Sequence, residues 1–179
     1  MADKTHEMIR RIAVTGPEST GKSILAEQLA NHFQTTWVPE YAREYLEKHP
    51  GKYTLDDIVA ISVCQLNETN ESILLANKLI ISDTEMLVCF IWAEVVFGEV
   101  PTIIEKAFHD QRFDLYLLCD VDLPWEPDPL REHPDRRTEI FQLYFDALSA
   151  AGLPFEIISG FGDQRLESAV QAIESRLSL

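Results

Sequence analysis

Eight consecutive residues, Gly16-Pro17-Glu18-Ser19-Thr20-Gly21-Lys22-Ser23, combine glycines, one ammonium and one hydroxyl in the spacing G-x-x-x-x-G-K-[ST]. Glycine lets the backbone turn tightly, so that successive N–H groups converge on phosphate oxygens. Lys22 brings an ammonium to the outer phosphates of a nucleoside triphosphate, and the Ser23 hydroxyl is a ligand for Mg²⁺. The positive end of the following helix adds its dipole. Gly16, Glu18, Ser19, Thr20, Gly21, Lys22, Ser23 and Ile24 are therefore expected to cradle the phosphates.

Other residues could complete phosphoryl transfer. Asp83 follows the apolar run Leu79-Ile80-Ile81 through Ser82, where a carboxylate can hold Mg²⁺ or accept a hydrogen bond from Ser23. Glu40 closes a second strand and is placed to accept a proton from an acceptor hydroxyl, a role for which Asp83 competes. A salt bridge from Glu40 to Arg43 is the structural alternative. In an acidic chain, residues 124–137 gather Arg131, Arg136 and Arg137, as a closing lid that neutralises a transferring phosphoryl group requires. A solvated charged loop is the competing reading. Trp37, Tyr41, Tyr45 and Trp125 could stack on a planar base, although Trp37 sits inside a strand.

These residues need elements to position them. Residues 11–15 read as a strand, and Ile24, Leu25, Leu29 and Phe33 recur at helical spacing over 22–34. Residues 35–39 read as strand two, and Glu40 opens a short helix. Thr54, with Asp56 and Asp57 behind it, caps a helix to about residue 76. After the strand ending at Asp83 comes a helix over 85–97, broken by Gly98 and Pro101, then a short segment over 103–109. Residues 115–119 form a buried strand, 124–135 a mobile loop, 136–150 a helix and 155–158 a fifth strand. Asp163 caps the last helix. Alternating strands and helices predict a parallel sheet covered on both faces, with its ligands at the carboxyl ends of the strands.

The bulk numbers bound the rest. Thirty acidic against 15 basic residues give a formal charge of -15, which opposes binding to nucleic acid or an anionic membrane. Cys64, Cys89 and Cys119 are far apart with no C-x-x-C pair, and the start carries no apolar secretory core, so the expectation is a soluble cytoplasmic protein. No repeat or low-complexity linker divides the chain, so residues 1–179 are expected to form one domain.

The ordered set Gly16 to Ser23, Glu40-Tyr41-Ala42-Arg43-Glu44-Tyr45, Ser82-Asp83-Thr84 and Trp125 to Arg131 resembles the ribosylnicotinamide kinase domain of NadR-type proteins, over nearly the whole chain. The resemblance implies a P-loop NTPase fold, a three-layer α/β sandwich around a five-stranded parallel sheet. It also implies ATP and Mg²⁺ as cofactors and nicotinamide riboside as a nucleoside-like acceptor, phosphorylated on its ribose hydroxyl. Lys22, Glu40, Asp83, Arg131 and Arg136 would then be catalytic, with Glu40, Tyr41, Arg43, Asp83 and Trp125 around the acceptor and Ser23 and Asp83 on the metal. Two positions depart from the family pattern: Pro39 stands where an aromatic precedes the Glu-Tyr pair, and residues 65–69 hold no aromatic. A kinase of another nucleoside and a nucleotide-binding regulatory ATPase remain the alternatives.

Overall fold

Buried β-branched and leucine-rich strands set the architecture. In the computed structural model, which describes residues 9–177, the first half runs β1 (Arg10–Thr15), α1 (Lys22–His32), β2 (Trp37–Val38), α2 (Tyr41–Lys48), α3 (Leu55–Ile73), β3 (Leu79–Asp83). The second half runs α4 (Met86–Phe97), α5 (Thr102–Asp110), β4 (Leu115–Cys119), α6 (Arg137–Ala150), β5 (Phe155–Ile158) and α7 (Gly162–Leu177). The five strands form one sheet in the order β2-β3-β1-β4-β5, and every pair is parallel. This is the expected doubly covered sandwich.

Strand alternation divides the core into two layers. Ile12, Val14, Leu115, Leu117 and Cys119 face α1 and α7, while Ala13, Tyr116 and Leu118 face α3 to α6. The central strands β3 and β4 are buried along their whole length, as strands covered on both faces must be. Register matters more than packing for the site. Val14 pairs with both Asp83 and Leu117, so β1 and its flanking strands end level, and the loops that follow them emerge together.

Several boundaries differ from the sequence reading. Strand two is only Trp37–Val38, because it lies at the sheet edge and Pro39 has no N–H to continue a ladder. Helix α3 has the expected cap: the Thr54 hydroxyl accepts from the Asp57 N–H, and the Asp57 carboxylate accepts from the Thr54 N–H. It stops at Ile73, short of residue 76, where the N–H groups of Leu74 and Leu75 turn back to Glu71 and Ser72. Asp163 lies inside the first turn of α7 and is not its cap, since the helix already starts at Gly162. Residues 103–109 lie within the helix α5. No described helix is long and apolar enough to cross a membrane.

Candidate active site

The octapeptide forms the turn between β1 and α1, and its conformation depends on backbone freedom. Gly16 has φ +132, and a Cβ there would lie 3.0 Å from the Cys119 carbonyl oxygen, so the loop rests directly on the end of β4. Gly21 caps α1 in the left-handed region at φ +75. Ser19 takes φ 54 without being glycine. The Lys22 ammonium donates to the Pro17 carbonyl at 2.7 Å, and the Thr20 hydroxyl donates to the same oxygen at 2.8 Å. That carbonyl holds the loop in a closed ring.

Beneath the loop lies a cation that sequence reasoning missed. Arg165 of α7 is 5% exposed and donates to the carbonyls of Thr20 (2.9 Å), Gly160 (2.9 Å) and Asp120 (3.3 Å), and to the Asp122 carboxylate (2.8 Å). One guanidinium therefore joins the phosphate cradle to the ends of β4 and β5. Its only sequence signal is an arginine on the apolar face of a helix.

Asp83 ends β3 only 2% exposed, behind Ser23, and its Oδ1 has no hydrogen-bond partner. Burial first, and then the nearby Glu40 charge, push its carboxyl up from 3.8 to about 6. A buried carboxylate oxygen without a donor suits a hard cation. Among the described residues no trio of His, Cys, Asp or Glu stands close enough to hold a metal alone. Mg²⁺ would thus need phosphate oxygens and water beside Ser23 and Asp83, which is its usual preference. The next residue, Thr84, is β-branched yet sits at φ 69, held there by a bond from its N–H to Val14 O (3.0 Å).

A cleft of about 660 Å³ opens above these groups, and the cradle residues, Glu40, Arg43 and Arg131 lie on its walls. Glu40 is the N-cap residue of α2. Arg43 pairs with Asp128 at 3.0 Å and reaches Glu47 at 4.0 Å, so in place of the alternative Glu40–Arg43 bridge it forms one that ties α2 to the loop over 124–137. The Leu130 N–H, and then Arg43, hold the Asp128 carboxyl below its usual range.

That loop is irregular, as expected, but it is fastened to the cradle. Glu18 accepts from the N–H groups of Glu132 (2.8 Å) and His133 (3.3 Å), and pairs with the His133 ring at 3.1 Å. The Ser19 hydroxyl accepts from the Glu126 N–H at 2.9 Å and from Arg131 at 3.3 Å. Arg137 donates to the carbonyls of Ser19 and Leu123, each at 3.0 Å, and its guanidinium carbon lies 5.7 Å from the centre of the Trp125 ring.

Four expected site residues stand off the cleft wall. Arg136 points to Glu139 in a two-bond pair, 2.7 and 3.0 Å, at the exposed start of α6. Trp125 is covered by Arg137 and is not part of the cleft wall. Tyr41 also lies outside the wall and packs with α2 against the larger core layer. Helix periodicity explains Tyr41 and Tyr45, which share one face four residues apart. Asp83 reaches the cleft only from behind Ser23 and is too deeply buried to be part of its wall.

The cleft instead has aromatics that sequence reasoning passed over. Val88, Ile91, Trp92 and Val95 line it from one face of α4, and Tyr53 joins them from the loop before α3. The available signal was α4 itself, MLVCFIWAEVVF, apolar at every position but Glu94 and so needing cover on two sides.

A sequence profile of the AAA domain matches residues 11–165. The trifunctional NAD biosynthesis/regulator protein NadR of Salmonella typhimurium is 32% identical over 129 residues, 69% of this chain. NadR of Escherichia coli matches at the same level, and the alignment takes in 31% of each relative's length. In fold, a NadR crystal structure in complex with NR superposes with a TM-score of 0.85 at 22% identity, over 96% of this chain and 52% of that one. NadR in complex with NAD and AMP-PNP gives 0.82. The deoxyadenosine kinase of M. mycoides gives 0.68 at 14% identity, over 92% of this chain and 99% of that one.

Proposed function

The chain belongs to the AAA domain family and is related to NadR, and from that premise we propose that it is an ATP-dependent kinase whose acceptor is nicotinamide riboside and whose product is nicotinamide mononucleotide. The observation that carries this reading is one cleft whose walls bring together the phosphate cradle with Lys22, the Glu40 carboxylate and the lid residue Arg131. Structural likeness to NadR in complex with NR and with AMP-PNP supports the two substrates. Free cysteines and the substrates together suit a reducing cytoplasm.

The backbone amides of the cradle and Lys22 hold the phosphates of ATP. Ser23 and Asp83 would hold Mg²⁺, which when bound neutralises charge on the outer phosphates. Glu40 faces the acceptor and takes the proton of its ribose hydroxyl as that oxygen bonds to the γ-phosphorus. The bond from the γ-phosphorus to the bridging oxygen breaks, and ADP leaves. Arg131, on the loop fastened to Ser19, offsets charge on the group in transit and helps the loop exclude water.

The test is ADP release from Mg-ATP with no acceptor, with nicotinamide riboside, and with a panel of common nucleosides. Stimulation by nicotinamide riboside is the expected result. Stimulation by a different nucleoside alone would replace the acceptor, and release indifferent to every acceptor would make the protein a regulatory ATPase.

A further inference from the structure

One wall of the cleft is apolar. Val88, Ile91, Trp92 and Val95 repeat at i, i+3, i+4 and i+7 along α4, so a full apolar face of that helix borders the cleft. A second apolar face, with Leu87 and Ala93, is in the core. Such a face at a cleft offers an apolar surface on which one ring of a bound ligand can lie.

Two aromatic rings form a corner on this face. Tyr53 and Trp92 stand with centroids 5.0 Å apart and planes at 65°. Their orientation is fixed by a relay of hydrogen bonds: the Trp92 indole N–H donates to the Tyr53 hydroxyl at 3.0 Å, and that hydroxyl donates to the Glu132 carboxylate. Burial, and then Glu132, push the Tyr53 phenol far up, so it stays protonated and keeps donating. The Glu132 backbone N–H meanwhile donates to Glu18 of the cradle. A single lid residue thus connects the aromatic corner to the phosphate loop.

The charge pattern beside this wall is one-sided. Arg43 is taken up by Asp128 and Glu47, and Arg131 faces Glu126. Among the described residues no cation lies within ion-pair distance of Glu132. An aromatic corner with an unneutralised carboxylate at its edge suits a planar ring bearing positive charge, through cation–π and Coulomb attraction together.

We propose that Trp92, Tyr53 and Glu132 form the acceptor-ring recess of this protein, selecting a planar cationic ring such as a pyridinium riboside over its uncharged counterpart. The recess takes over the stacking role at a site remote in sequence from Pro39 and from residues 65–69. The proposal rests on the kinase reading for its acceptor, and the experiment separates the two.

Calorimetry measures binding of nicotinamide riboside and of its uncharged 1,4-dihydro form without any turnover, and steady-state assays give KM for acceptor and for ATP. The variants are Trp92→Leu, which keeps apolar volume, and Glu132→Gln on the exposed lid. Trp92→Leu is expected to raise Kd and KM for nicotinamide riboside by about tenfold, with KM for ATP unchanged. Glu132→Gln is expected to cut the preference for the cationic over the dihydro form several-fold while leaving the dihydro form's own Kd alone. Binding with these effects but no phosphoryl transfer defeats the kinase reading and supports the recess. Transfer or binding in which Trp92→Leu leaves acceptor affinity within about twofold of wild type overturns the recess alone. The absence of any binding by the pyridinium riboside overturns both.

Discussion

Glu85 offers a quantitative check on the buried electrostatics below the cleft. It caps α4, is 1% exposed, and accepts from the Thr15 hydroxyl at 2.9 Å and from the Leu87 N–H at 2.5 Å. Burial pushes its carboxyl up from 4.5 to about 7, against the pull of those two donors. The folded state therefore binds the proton more tightly than the unfolded chain. Stability from this group is complete below its unfolded value and is lost as pH rises through about 7. A gap of this size corresponds to about 3 kcal/mol in full, of which about 2 kcal/mol falls between about pH 5.5 and 8.5. Glu85→Gln keeps the shape and the acceptor for Leu87 but removes the titration. Urea unfolding of both proteins across that range, without nucleotide, should show the variant gaining about 2 kcal/mol on wild type from the acid end to the alkaline end. Asp83 titrates in both proteins and cancels. A wild-type-to-variant difference that stays constant with pH would refute the assignment of Glu85 as a buried neutral acid.

Lys22→Ala should remove nearly all phosphoryl transfer while circular dichroism and unfolding stay close to wild type, since its one bond is to the Pro17 carbonyl within the loop. Gly16→Ala places a Cβ 3.0 Å from a backbone oxygen at φ +132, so it should lower stability by about 2 kcal/mol and weaken ATP analogue binding by calorimetry. Arg165→Leu removes the cation from Asp122, whose carboxylate keeps the Gly160 N–H, and the donor from three carbonyls, and should cost about 3 kcal/mol in urea unfolding. Asp83→Asn should abolish ADP release yet unfold at a higher temperature than wild type at about pH 8, because the raised carboxyl costs stability once ionised above about 6. That advantage should vanish near pH 4, where wild-type Asp83 is protonated.

The fold was legible in the sequence because period and punctuation agreed. Buried runs such as Leu115–Cys119 alternate with capped helices, and only a parallel sheet accommodates that order. The cradle was legible because its chemistry needs contiguous residues. The acceptor side was not. Its aromatics, Tyr53 and Trp92, lie 39 positions apart and look like ordinary core until α4 is seen to border a cleft. Arg136 and Arg137 are adjacent, and only their backbone position at the start of α6 decides that one meets Glu139 and the other the Ser19 carbonyl. Glu40 and Arg43 satisfied the spacing for a helical pair, but Asp128, far along the chain, competed successfully. Composition could not foresee that competition, which is a matter of three-dimensional neighbours.

The guanidinium of Arg165 ties the phosphate loop near the start of the chain to the last helix. During synthesis every residue of the cradle leaves the ribosome long before the side chain that supports Thr20. A nascent chain halted ahead of α7 should accordingly be deaf to ATP, neither stabilised by it nor protected from proteases in its presence. Ligand-driven stabilisation should therefore require α7, although none of the cradle residues lies on it. A split protein would behave likewise: the fragment lacking α7 should gain nucleotide protection when a peptide of that helix is supplied in trans.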